Sequence, residues 1–196
     1  MKKLVFAAAM CLLTTATQAQ TITNESVMKT YQDAVLAENS EYAYNADFEN
    51  GMLTTQYIYR KSQSHRGKNA CMMLTPRVKH CYSYDAEGRL ATRTTYFWNK
   101  NADDWQTMYR LDYSYQPGVN IVECSKWNAI SSRFSLPTER MVYEVKAGTD
   151  NGFVSSYHRK NDHSDFKLTN TLNIPVSYFY DLAADSLPQQ DFVTQQ

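Results

Sequence analysis

Between Arg89 and Tyr115 the side chains alternate with a period of two. Leu90, Thr92, Thr94, Tyr96 and Trp98 fall on one side of an extended chain, and Ala91, Arg93, Thr95 and Phe97 on the other; a helix would scatter both sets. After a polar loop from Asn99 to Asp104 the alternation is cleaner. Trp105, Thr107, Tyr109, Leu111, Tyr113 and Tyr115 oppose Gln106, Met108, Arg110, Asp112 and Ser114, the pattern of a long strand with one covered face. Upstream, Tyr82-Ser-Tyr84 runs into Asp85-Ala-Glu-Gly88, which offers an acceptor side chain at the start of a reversal and a glycine where positive φ is needed. The stretch from Tyr82 to Tyr115 therefore reads as three antiparallel strands.

Looser copies of this unit flank it. Tyr42-Ala-Tyr44 turns through Glu49-Asn50-Gly51 into Leu53–Tyr59; Tyr113-Ser-Tyr115 meets Pro117-Gly118, a type II turn signal; Tyr143-Glu-Val145 precedes Gly148 and Asn151-Gly152; Tyr178-Phe-Tyr180-Asp181 is the last copy. The leading tyrosines fall 40, 31, 30 and 35 residues apart, the length of two strands with their connections, and such repetition means stacked neighbours in one sheet. A second landmark keeps step with the first: Trp98 to Trp105, Trp127 to Phe134, and His158 to Phe166 each close one strand and open the next. The expectation is an all-β chain, a long antiparallel β-meander of about ten strands whose twist makes the sheet strongly curved or partly closed. Ser62 to Lys68 reads as an exposed loop.

The ends of the chain read differently. Met1 to Ala19 has Lys2 and Lys3, an apolar run from Leu4 to Leu13 and small residues at Thr17 and Ala19, a secretory signal peptide too short to span a bilayer as a helix. Cys11 lies inside the apolar run, which disfavours a lipoprotein. Residues 20–40 form an N-terminal segment in which Asn24 is a candidate N-cap and Val27, Met28, Tyr31, Ala34 and Val35 share a helical face. The β domain then covers 41–182, and 183–196 is a loosely held tail. Removing the signal leaves 18 basic and 20 acidic residues, a net −2 that favours neither nucleic acid nor an anionic membrane.

Candidate chemistry is sparse. Export permits disulfides, and Cys71 and Cys81 are equidistant from Pro76, so a hairpin centred there would set them opposite each other; two unpaired thiols are the even alternative. Cys124 alternates with Val122 and reads as a small core residue. His65, His80, His158 and His163 share no metal-ligand spacing, and Asp103, Asp104, Asp162, Ser164 and Asp165 lack the glycine and terminal glutamate of a calcium loop. No nucleophile elbow, P-loop or dinucleotide fingerprint occurs, so neither a catalytic residue nor a cofactor is assigned. The aromatics remain. Strand-interior tyrosines read as cross-strand packing, whereas Trp98, Trp105 and Trp127 flank loops and are the candidate ligand-binding residues.

The run Tyr82-Ser-Tyr84-Asp85-Ala-Glu-Gly88-Arg89-Leu90, with Tyr96-Phe-Trp98-Asn99 and Trp105, resembles small secreted proteins of Bacteroides and its relatives that form a family of unknown function. The likeness covers Tyr42 to Val145. Its hairpins are also similar to the tyrosine–aspartate repeats of large bacterial shell and toxin proteins, although only Tyr84-Asp85 keeps the full pair with Gly88-Arg89. The first resemblance implies the fold and a Gram-negative gut origin, in the periplasm or outside the cell, and no activity. The functional expectation is an exported, non-enzymatic binding or scaffold protein taking a glycan or a protein partner on an aromatic face or a sheet edge. The alternative is a hydrolase or isomerase assembled from distant loops.

Overall fold

A computed structural model describes residues 21–66, 69–145 and 151–175. The signal-peptide reading, the Tyr178–Asp181 copy, Gly148 and the 183–196 tail lie outside the described residues. Among those described, ten strands form one antiparallel sheet: β1 (Tyr42–Glu49), β2 (Met52–Arg66), β3 (Asn69–Tyr84), β4 (Leu90–Asn99), β5 (Asp104–Gln116), β6 (Val119–Asn128), β7 (Arg133–Phe134), β8 (Glu139–Val145), β9 (Asn151–His158) and β10 (Lys167–Pro175). The order is β1-β2-β3-β4-β5-β6-β8-β9-β10, with the short β7 pairing β6. The meander is as expected, and it stays open: β1 and β10 do not meet, so the sheet is not a barrel.

One helix, α1 (Asn24–Leu36), precedes the sheet. Its N-cap is Thr23 rather than Asn24: Thr23 and Ser26 exchange side-chain and backbone hydrogen bonds in a capping box. Asn24 is released for another task. Its amide donates to the Gly51 carbonyl at 3.2 Å and its oxygen accepts from the Leu53 N–H at 3.0 Å, while the Ile22 carbonyl accepts from the Leu90 N–H at 2.8 Å. The helix start is thus tied to two turns of the sheet.

Beneath α1 lies the core. Leu53, Leu90, Leu111, Val122, Cys124, Tyr143 and Val154 are buried with Ile22 and Val27, and Tyr82, Tyr84, Tyr109 and Tyr115 pack against them. The repeated tyrosines are therefore core, as cross-strand packing requires. Tyr84 donates its hydroxyl to the Leu53 carbonyl and Tyr115 to that of Leu90, so these half-buried phenols meet acceptors. The first copy is out of step. Tyr42 and Tyr44 begin their strand, whereas the pairs at Tyr82 and Tyr113 end theirs.

Two bulges alter the faces that alternation assigns. β4 gains one residue against β3 at Ala91, because Tyr84 pairs with Leu90 and Ser83 with Thr92. Leu90 consequently joins Arg93 and Thr95 on the buried face, not Thr92 and Tyr96. β5 gains one residue against β4 at Met108, because Thr95 pairs with Tyr109 and Tyr96 with Thr107. Trp105 and Thr107 are thereby turned away from Tyr109, Leu111 and Tyr113.

Pro76 does not turn the chain. β3 passes through it, and the last pair of the hairpin is Arg66 with Asn69. The proline is tolerated because β4 pairing reaches only Val78, so its missing N–H costs no bond on that side. Ser62 to Arg66 are accordingly strand, not loop. Cys71 and Cys81 lie ten positions apart on one strand, about 33 Å at strand rise, and they are free thiols, as is Cys124. The expected bridge fails because the hairpin that would have aligned the two cysteines does not exist.

Candidate functional site

Meander connectivity sorts the connections to two ends of the sheet. Asn50-Gly51, Asp85–Gly88 and Pro117-Gly118 make short turns at the helix end, with φ of +78°, +74° and +74° at the three glycines. The Asn99–Asp104 loop, the β6–β7 connection and the Arg159–Phe166 loop gather at the other, with the tip of the β2–β3 hairpin.

The helix-end turn at Asp85 is explained by its own residues. Asp85 Oδ1 accepts from the N–H groups of Glu87 and Arg89, and its Oδ2 pairs with Arg89 Nε at 2.7 Å. Burial works to raise this carboxyl, yet the Arg89 N–H and guanidinium and the Glu87 N–H outweigh it and hold the group below its ordinary value. Arg89 also lies 5.1 Å from the centroid of the Tyr115 ring. The tyrosine–aspartate motif is turn chemistry here.

All three candidate tryptophans lie on the sheet face away from α1, at the loop end. Trp98 and Trp105 are cross-strand partners with ring centroids 5.1 Å apart, edge to face. Trp127 meets Phe134 across β6–β7 in the same manner at 5.0 Å. Tyr57 reaches Trp105 at 6.2 Å, and the row Tyr57–Lys79–Tyr96–Thr107 crosses four strands in register. Cations are interleaved with the rings. Lys79 Nζ lies 4.5 Å from the Tyr96 centroid and 5.4 Å from that of Trp105; Arg110 stacks 4.8 Å from Phe134; Arg140 and Arg159 lie 4.1 and 4.9 Å from Phe166. Arg110 is also paired with Asp112 and Arg140 with Glu123. Tyr57 donates to Asp47 at 2.9 Å, and that bond, with burial second, raises its hydroxyl.

Trp98, Trp105 and Trp127 are half-buried. Flat π faces with fixed cations between them match the C–H faces of a sugar ring and its hydroxyl or acidic substituents. The aromatic pairs Trp98–Trp105 and Trp127–Phe134 follow the strand-end landmarks of the sequence; the basic residues against the rings, Lys79 and Arg110, were missed. Strand pairing brings them together, and no local spacing encodes it.

The remaining candidates do not converge. His80 is half-buried and its Nδ1 is 3.0 Å from Thr95 Oγ1, while His158 and His163 are exposed. Burial pushes the Cys124 thiol up to about 11, with Glu139 adding to the effect, which is the reverse of what activates a nucleophile. Asn161 and Ser164 close their loop on each other, leaving Asp162 and Asp165 in solvent. Among the described residues no three His, Cys, Asp or Glu side chains gather as metal ligands, and no helix is long and apolar enough to cross a membrane. A cleft between α1 and the sheet, lined by Val27, Tyr31, Gln56, Tyr82, Arg93 and Tyr113, holds about 20 Å³, room for water rather than a substrate.

The molecule is thus an open antiparallel meander, with a helix on one face and an aromatic, cation-studded surface on the other. The chain belongs to the family of unknown function DUF3836, whose model matches residues 1–145. A solved protein of unknown function from Bacteroides fragilis is 22% identical, covers 70% of this chain and 95% of its own, and superposes with a TM-score of 0.57, a likeness of fold. DUF3836 proteins from Bacteroides vulgatus and Parabacteroides distasonis are 28% and 17% identical, cover 50% and 72% of this chain and 91% and 95% of their own, and give TM-scores of 0.42 and 0.43. No curated protein matches the chain.

Proposed function

We propose that this is an exported, non-enzymatic binding protein that holds a glycan against the aromatic face. The observation that carries the reading is the placement of Trp98, Trp105 and Trp127, with Lys79 and Arg110 between the rings, on the face that the helix leaves uncovered. Rigid rings lose little entropy on contact, so a stacked residue contributes about 1 to 2 kcal/mol and its removal weakens binding roughly tenfold. The sequence of Met1 to Ala19 supports export, for which the mature protein would begin at Gln20.

A glycan array followed by calorimetry on the best hit tests the reading. Trp98→Ala and Trp127→Ala should each lower affinity about tenfold while circular dichroism stays unchanged. Silence across the array, or a hit indifferent to both changes, overturns it. Capture of a protein partner that depends on the same tryptophans would keep the face and replace the ligand class.

A further inference from the structure

Among the described residues five cations lie against aromatic rings, and four of them also hold a protein oxygen. Arg89 pairs with Asp85 and Glu87, Arg110 with Asp112 and Arg140 with Glu123, and Arg159 Nε donates to the Pro137 carbonyl. Lys79 is the exception. Its ammonium lies 4.5 Å from the Tyr96 centroid and 5.4 Å from that of Trp105, and it has neither an ion pair nor a hydrogen bond among the described residues.

The strands around Lys79 offer it no anion. β3 and both of its neighbours, β2 and β4, contain six Lys or Arg residues and no Asp or Glu, a positive block in a chain whose formal charges balance. The acids that flank the ring cluster are engaged elsewhere. Asp47 Oδ2 accepts from the Tyr57 hydroxyl at 2.9 Å, and Asp104 Oδ1 accepts from the Trp105 N–H at 2.7 Å. An ammonium has three donors. Ring faces hold the half-buried Lys79 in place without supplying an oxygen, so an anionic oxygen from outside would complete it at little cost in ordering.

We propose, building on the glycan reading of this face, that the sugar it holds is acidic: a carboxylate or sulfate on the sugar meets Lys79 Nζ while the ring rests on the Trp98–Trp105 pair. The charge-assisted bond selects the ligand, and the tryptophans supply contact that neutral and acidic sugars share. Single-stranded nucleic acid also joins charge to flat rings, but it needs a cation for each of several phosphates along a groove. Arg110 and Arg140, the next cations on the face, are already matched by Asp112 and Glu123. One unmatched ammonium suits one anionic group.

An array of oligogalacturonate, oligomannuronate and sulfated galactan oligosaccharides, each beside its methyl-esterified or desulfated form, tests the proposal on the full chain, with calorimetry on the best pair. The charged form should bind about tenfold tighter than its uncharged twin, and added salt should narrow that gap. Whether the uronates or the sulfated sugars show the gap identifies the anionic group. Lys79→Gln should bring the charged-to-uncharged ratio close to one, and Lys79→Arg should keep most of it. Because the ratio is taken within one variant, a general loss of packing around Tyr96 does not mimic the effect. A hit that needs Trp98 but binds no better when charged overturns the proposal and leaves the glycan reading standing, whereas silence across the array removes both. A ratio unchanged in Lys79→Gln, or oligothymidylate bound more tightly than every acidic sugar, also overturns it. The charged and uncharged pair and its salt dependence are read on the unaltered protein and decide the matter even if Lys79→Gln misfolds.

Discussion

His80 is a half-buried histidine whose Nδ1 lies 3.0 Å from Thr95 Oγ1. It sits between Gln56 on β2 and Thr95 on β4, and burial, with the nearby Arg93 charge second, lowers it to about 3. The unfolded value is near 6.5. Between those limits the unfolded chain takes up a proton that the folded chain refuses, so the stability contributed by the neutral form is whole above pH 6.5 and is lost as pH falls toward 3. The slope from this residue is at most about 1.4 kcal/mol per pH unit. Urea unfolding at pH 7, 5.5 and 4.5 should show wild type losing stability faster than His80→Gln; parallel losses would contradict the assignment. At the same scale, Asp85 and Arg89 show why a motif with a functional look is structural: both carboxylate oxygens of Asp85 are spent on the N–H groups and guanidinium of its own turn.

At the scale of the strand, β5 carries two jobs on one alternating sequence, and the Met108 bulge separates them. Leu111 is fully buried in the core, and Leu111→Ala should cost about 2 to 5 kcal/mol. Trp105, six residues earlier, faces the other way, so Trp105→Ala should cost far less stability and should instead weaken whatever ligand the face holds. Chemical denaturation and a binding titration on the two variants separate these outcomes; equal destabilisation would mean that Trp105 is core. The strands themselves were legible, because Trp105 to Tyr115 alternates and Gly51, Gly88 and Pro117-Gly118 mark reversals. The bulges were not, since an inserted residue leaves no compositional trace and yet exchanges the faces of everything beyond it. Pro76 misled for a related reason: proline is a turn signal in sequence and a tolerated edge residue where one neighbouring strand has stopped. The tryptophans and the aromatics that face them were legible as the ends of successive strands, Trp98 with Trp105 and Trp127 with Phe134, but the cations Lys79 and Arg110 could be located only by register.

Taken whole, the molecule has a tied end and a free end. Thr23, Asn24 and Ile22 bind the helix start to the turns at Gly51 and Gly88, while the connections at the opposite end carry local hydrogen bonds of their own, such as Asn99 to Asn101 and Asn128 to Ile130. Lengthening the Asn99–Asp104 loop with glycine and serine should therefore cost under about 1 kcal/mol, as chain-closure entropy alone dictates. The same insertion between Glu87 and Gly88 should cost several times more, because it breaks the Asp85 turn and unseats α1. Melting curves of the two variants provide the comparison, and equal shifts would refute the division. Every strand pairs with a neighbour near it in sequence, so contact order is low and rapid folding is expected. Selection can then rewrite residues at the free end for a new target while the machinery of folding, concentrated at the tied end, goes undisturbed, and descendants of one such chain can come to differ in what they grip long before they differ in shape.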